Sequence, residues 1–299
     1  MIQRLELHPA DQPLFSLALQ TSACAVELWV NDVPIYREQT GSATDCTLPI
    51  NEWLFQGPNE IRCRAKALTP EGARARVELQ FRRLRQPLKQ AIPLAVLDWS
   101  PPAGTETIGE AEGPMRPEAE PQIPPAVAPG SWTEFSWIRH PRRRSPGGYV
   151  ELSGQFTLPA PWPRCPWGEA TVLRSQPNLP FSIWQLTEEF RGVLARRDVA
   201  MLARITSEPR QALEAVYHLA AGEVEEVLLY PKLLQNPAWR VANLPEEGWS
   251  VEWGGQGRIV RVIDAARGES VLRLINESEG LEAIVDVWWA LNNRWVVIR

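Results

Sequence analysis

The sequence predicts a multi-domain, mainly β protein: an N-terminal antiparallel β-sandwich, then a C-terminal α+β domain whose helices pack on an antiparallel sheet. Three observations predict it. Between Leu14 and Leu84 apolar and polar residues alternate with period two, broken by turn residues, as in half-buried antiparallel strands. At residues 99–130 the composition shifts to Pro, Gly, Glu and Ala with almost no large apolar side chains. Helical periodicity appears only after that, from Ser182 to Gly222, and gives way to a strand meander from Arg258 onward.

Each element follows from local chemistry. Pro13 to Ala25 (PLFSLALQTSACA) has the apolar run of a signal-peptide core, but Gln20, Thr21 and Ser22 interrupt it and the alternation continues beyond, so a strand is predicted. Ala23 to Val30 ends at Asn31-Asp32, a pair suited to the positive φ angles of a tight hairpin turn, and Val33 to Arg37 returns. Cys46 to Ile50 restarts a strand, and Asn51 to Leu54 reads as one helical turn. Gly57-Pro58-Asn59 then leads into a strand with Ile61, Cys63 and Ala65 inward and Arg62, Arg64 and Lys66 outward. Ala73 to Leu84 repeats the pattern with Val77, Leu79 and Phe81 inward.

The positions Val30, Asn31, Ile50, Leu54, Gly57, Asn59 and Ile61 resemble the motif of the jelly-roll modules called galactose-binding-like domains, with Asp32 where that family's hairpin has glycine. All are turn or core positions, so the resemblance implies a sandwich rather than sugar binding. A carbohydrate-binding module is one alternative, and it predicts exposed Trp29 or Trp53.

The domain plan is therefore residues 1–98 as the sandwich, 99–130 as a proline-rich linker unable to bury enough surface to order itself, 131–180 as a hairpin and an extended Trp/Pro segment, and 181–299 as the α+β domain. In the third part Trp132 to Arg139 and Tyr149 to Leu158 read as strands around a loop with Arg142, Arg143 and Arg144, which is either a solvated tip or a contact for an acidic partner. Further on, Ser182 with Gln185 forms a capping-box pattern before the stripe Ile183, Leu186, Phe190, Val193 and Leu194. Asp198 caps a second helix, Pro209 starts a third, and Gly222 stops it. Arg258 to Ile263, Ser270 to Ile275, Leu281 to Leu291 and Arg294 to Arg299 are the meander strands. Helices first and then a long sheet ending VWWALNNRWVVIR resembles the nuclear-transport-factor-like (SnoaL-like) cone, which implies a strongly curved sheet and a fold shared by isomerases, dehydratases and non-enzymatic adaptors.

Composition narrows function. The net charge of −5 argues against a nucleic-acid binder, and no apolar run reaches the ~20 residues of a membrane span. Cys24, Cys46, Cys63 and Cys165 contain no CxxC pair and His8, His140 and His218 are few, so no metal site and no cofactor is expected and the chain reads as cytoplasmic and reduced. There is no G-x-S-x-G, HExxH, phosphate-loop or dinucleotide-binding motif, and Trp253 to Gly257 (WGGQG) reads as a β-turn. If the chain is an enzyme, a small-molecule isomerase or lyase, its base is Asp286, a carboxylate between bulky apolar groups, with Tyr217 or Tyr230 as hydrogen-bond donor; the alternative is an Asp286 ion-paired across the sheet, for example to Arg273. Fourteen Trp and an Arg-dominated positive charge suit a protein interface. The expected class is a non-enzymatic protein-binding protein, an immunity or adaptor protein for a bacterial secreted toxin of a type VI or contact-dependent system. Its interaction residues are the acidic Glu223, Glu225, Glu226, Glu246 and Glu247, the loop arginines, and Trp288 and Trp289.

Overall fold

The structure is a computed structural model that describes residues 12–69, 71–101, 137–140, 142–158, 162–163, 167–174, 176, 178–224 and 229–298. It is mainly β, with several antiparallel sheets and few helices. The described residues divide into two compact units, one within Met1–Val30 and Pro34–Trp162, the other within Asn31–Val33 and Pro163–Arg299. The linker reading falls almost wholly outside the described residues, as do Glu225, Glu226, Cys165 and His8.

The first unit contains β1 (Pro13–Ser22), β2 (Cys24–Val30), β3 (Val33–Glu38), β4 (Thr44–Pro49), β5 (Gly57–Ala67), β6 (Arg74–Arg83), β7 (Ile92–Trp99), β8 (Trp137–Arg139), β9 (Arg143–Ser145) and β10 (Tyr149–Leu158). One sheet has the order β4-β1-β6-β7 and the other β3-β2-β5-β10-β8, with β9 on β10. Their inward side chains meet: Phe15 of β1 lies 5.7 Å from Phe81 and 6.3 Å from Phe156 of the other sheet. Alternation holds as the pattern predicts, with Ile61, Cys63 and Ala65 buried and Arg62, Arg64 and Lys66 half-buried. Asn31 and Asp32 take φ of 51° and 67°, both left-handed, as a two-residue hairpin turn requires. β10, which the sequence set apart from the sandwich, pairs with β5 from Val150↔Ala65 to Leu158↔Gly57. β5 therefore lies between β2 and β10, and the buried Leu152, Phe156 and Leu158 of β10 extend the apolar face of that sheet.

Two asparagines fasten this unit. Asn51, fully buried in the short turn after β4, accepts from Phe15 N at 2.7 Å and donates to the Pro13 carbonyl at 2.9 Å. Asn59 donates to the carbonyls of Phe55 and Gly57 and accepts from Phe55 N, clasping the loop before β5. Gly57, at φ +100°, takes a conformation costly to any residue with a Cβ.

The second unit contains α1 (Leu179–Ala195), α2 (Val199–Ile205), α3 (Ser207–Tyr217), α4 (Leu229–Gln235), β11 (Arg240–Val241), β12 (Trp249–Gly254), β13 (Ile259–Asp264), β14 (Glu269–Ser270), β15 (Arg273–Asn276), β16 (Leu281–Ile284), β17 (Trp289–Asn292) and β18 (Arg294–Val297). A sheet β11-β15-β16 and a sheet β12-β13-β17-β18, with β14 on β13, face the helices. The apolar stripe of α1 packs with Val260, Val262, Val285, Val287 and Trp289 into one core. The strand expected over Leu281 to Leu291 is two strands, because the chain leaves β15 at Val285 and joins β13 at Trp289. α1 begins at Leu179, earlier than the capping-box reading, with Asn178 in a left-handed conformation and Pro180 in the first turn, where its missing N–H is harmless. α3 ends not at Gly222 but at Tyr217, because His218 adopts φ +56°. Asp198 caps α2 as expected, accepting from Met201 N at 3.0 Å.

Candidate functional site

The apolar stripe and the short turn to α2 create a concavity in the second unit. Arg197 sits at φ +54° and turns the chain after α1, while its guanidinium donates to the carbonyls of Leu234 and Trp239 at 2.8 Å each, which fixes the corner. α2 therefore lies beside the C-terminal half of α1, and with β17, β18 and the start of α3 it encloses a groove of about 870 Å³. Leu186, Phe190, Met201, Ile205, Trp289 and Trp295 give it apolar walls. Trp289 meets Phe190 edge to face at 6.2 Å, and the two buried rings form the deep wall.

The edge of the groove is charged. Arg191 is engaged by Glu188, which accepts its Nε and Nη2 at 2.9 and 2.6 Å, and this pairing holds the guanidinium above its ordinary range. Arg196, Arg204 and Arg294 are exposed, as are Glu189 and Glu208. Glu208 lies 4.0 Å from Arg294, with the Arg294 side chain 81% exposed, a pair worth at most about 1 kcal/mol.

Asp286 belongs to a different arrangement. Val285, Val287 and Trp289 point into the core, as the alternation predicts, and Asp286 and Trp288 point away from it. Glu252 of β12 stands directly opposite Arg261 of β13 and accepts its Nε and Nη2 at 2.9 and 2.6 Å. Arg261 Nη1 donates to Asp286, and its guanidinium lies 4.7 Å over the Trp288 ring, whose Nε1 donates to Asp286 at 3.2 Å. Burial opposes the Arg261 charge, but the two carboxylates outweigh it and hold the guanidinium above its ordinary range. The cation partner of Asp286 is thus Arg261 and not Arg273. β13 neighbours β17, whereas Arg273 on β15 pairs with Glu282 of the adjacent β16 and lies 3.5 Å from Glu269. The apolar surroundings that a general base needs are replaced here by a guanidinium. Among the described residues neither Tyr217, the last residue of α3, nor Tyr230, buried in α4, hydrogen-bonds Asp286.

The expected interaction residues fall in separate places. Glu223, Glu246 and Glu247 are exposed; Glu223 accepts from Ala220 N at 2.7 Å. Arg142, Arg143 and Arg144 are exposed at the edge of the second sheet of the first unit, where charges discourage edge-to-edge pairing, and Arg142 donates to the Asp98 carbonyl. Trp288 and Trp289 are buried, at 0% and 6% exposure, because both sides of the 285–289 segment are covered; they are core side chains, a correction to their reading as contact residues. Trp53 is buried, and Trp29 is covered by the guanidiniums of Arg62 and Arg64 at 5.0 and 5.2 Å, so neither ring is displayed as a sugar platform would be. WGGQG forms a tight turn in which Trp167 packs against the bare Cα of Gly255.

Compared with protein-family models, with curated proteins and with solved structures, the chain matches none. Among the described residues no three His, Cys, Asp or Glu side chains cluster to hold a metal ion, and no helix is long and apolar enough to cross a membrane. Sequence reasoning missed the groove edge. Arg196-Arg197-Asp198 at the junction of α1 and α2 is the signal that marks it, since a cap and a corner arginine there leave the neighbouring arginine without a structural task.

Proposed function

We propose that this chain is a non-enzymatic binding protein whose second unit takes up a segment of another protein, and that it belongs with the immunity and adaptor proteins of bacterial secreted toxins, type VI or contact-dependent. The groove between α1, α2 and β18 carries this reading: Trp and Arg are the side chains that dominate binding energy at interfaces, and here both line one concavity. The carboxylate that best suited acid–base work, Asp286, is committed to Arg261, which supports a binding role over the isomerase or lyase reading. We read the first unit as a β-sandwich of the galactose-binding-like kind and the second as an α+β cone of the nuclear-transport-factor-like kind. A cytoplasmic location is supported by the free thiols Cys24, Cys46 and Cys63.

The test is affinity purification of the tagged full chain from its native host, in parallel with Met201→Ser and Trp295→Ala. The expected result is one stoichiometric partner retained by the wild type and lost from both variants, whose melting temperatures stay within a few degrees of it. Retention by both variants, or loss only when Glu246 and Glu247 are changed to Lys, overturns the groove as the binding surface.

A further inference from the structure

Resting on that reading, we infer that the segment received by the groove is acidic: an amphipathic stretch of a partner protein whose large apolar side chains meet the half-buried Met201, Ile205 and Trp295 while its carboxylates meet Arg196 and Arg204. The arginines near the α1–α2 corner differ in what already binds them. Arg191 is saturated by Glu188, and Arg197 by backbone carbonyls. Arg196 and Arg204 have no carboxylate within ion-pair distance among the described residues. The one side-chain acceptor for Arg204 is the Met201 sulfur at 2.9 Å, a weak one. Arg196 folds back along α1 over Gly192: a Cβ built there would come within 3.2 Å of its Nη1, so the bare glycine leaves the guanidinium room to lie against the helix on the groove side. Two guanidiniums with unspent donors, next to an apolar floor, are matched by carboxylates, which they bind in bidentate fashion.

The charge pattern selects among anions. Glu189 and Glu208 share the edge with these arginines, so a continuous phosphate backbone meets repulsion at each step, whereas separate carboxylates on a peptide fit between them. Size selects among carboxylates. Arg196, Arg204 and Arg294 come from three elements and are exposed, so they frame an open edge rather than enclose a molecule, and a small ligand would be mostly buried by its site. A protein segment lying along α1 and α2 spans the whole edge. In a chain of net charge −5, the arginines of this lining outnumber its glutamates, and that local excess of positive charge favours the approach of an acidic partner.

The experiment uses the full chain and three fluorescent synthetic peptides of equal length, with Leu and Trp at helical spacing and every other position Glu, Gln or Lys in mixture with Ala. By fluorescence anisotropy the Glu peptide binds about tenfold more tightly than the Gln peptide, and more tightly still than the Lys peptide. Its affinity falls as salt is raised. The double variant Arg196→Glu, Arg204→Glu, altered only at exposed positions, reverses the order so that the Lys peptide binds best. Equal binding of the three peptides that is lost in Trp295→Ala overturns the acidic preference and leaves the groove reading standing. Binding that survives Trp295→Ala overturns the groove reading itself. Failure of the Glu peptide to bind, or a preference unmoved by the charge reversal, overturns the inference.

Discussion

In the first unit a buried neutral amide, Asn51, ties distant segments of the chain together; in the second, two buried arginines, Arg261 and Arg273, are each held by carboxylates from more than one segment. The strand lengths differ in the same sense. β1, β5, β6 and β10 run for ten or eleven residues, while no strand of the second unit exceeds six. A long ladder fixes its own register, because a slip of one residue would turn every core side chain outward. Short strands offer less such penalty, and a cross-strand pair such as Glu252↔Arg261 supplies the missing specification. The charged cluster at Asp286 is thus explained by architecture, whereas Arg196 and Arg204 at the groove have no carboxylate partner among the described residues.

The largest effect is expected from Arg261→Met. It leaves the Glu252 and Asp286 carboxylates facing each other without a cation, and the expected loss is about 3–5 kcal/mol in urea titration. The triple variant Arg261→Met, Glu252→Gln, Asp286→Asn recovers most of it, because the three charges are removed together. If the single variant costs under about 1 kcal/mol, the cluster is not structural and Asp286 returns as a candidate for chemistry.

The corresponding change in the first unit is Asn51→Ala. It strands the Phe15 N–H and the Pro13 carbonyl in a fully buried place, and at about 1–3 kcal/mol for each unsatisfied group the expected loss is about 3 kcal/mol. Hydrogen exchange should localise it: the Phe15 amide loses protection, while amides of β5 and β10 keep theirs up to the lowered global stability.

These two residues also mark how far the sequence can be read. Asn59 follows Gly57 in a turn whose residue types announce it, and the hairpin at Asn31-Asp32 and the cap at Asp198 are equally local, so all three were legible. β7 was not identified, because Pro93 interrupts its apolar run; Pro93 is tolerated on an edge strand, at a register shift opposite Leu79 and Gln80. The partner of Asp286 required knowing that Arg261 of β13 reaches it while Arg273 of β15 is taken by Glu282, a fact of topology carried by no single segment. The groove needed more still, since its walls come from α1, α2, α3 and two strands far along the chain. Its residues are ordinary one by one, and the Trp288-Trp289 pair that stood out in the sequence proved to be core.

The smallest effect separates the units by pH. In the second, Arg273 hydrogen-bonds Glu282 and holds its carboxyl below the usual range, so that contribution is present above the unfolded carboxylate pKa and is lost as pH falls. In the first, burial pushes the Cys63 thiol up to about 12, with a further push from Cys24. The sign is opposite: the unfolded thiol ionises from about pH 8.5 while the folded one stays protonated, so stability falls as pH rises from there toward 12. The loss is under about 1 kcal/mol at pH 9 and grows by about 1.4 kcal/mol for each further unit. Tyrosines and lysines titrate in the same range, so the measurement is a difference, wild type against Cys63→Val, by urea titration at pH 8, 9 and 10. Converging stabilities that cross as pH rises are expected, since valine fills the same apolar site and has no proton to lose. Parallel curves would mean that Cys63 is ionised as readily in the folded chain as in the unfolded one, and that the first unit's core is open to water.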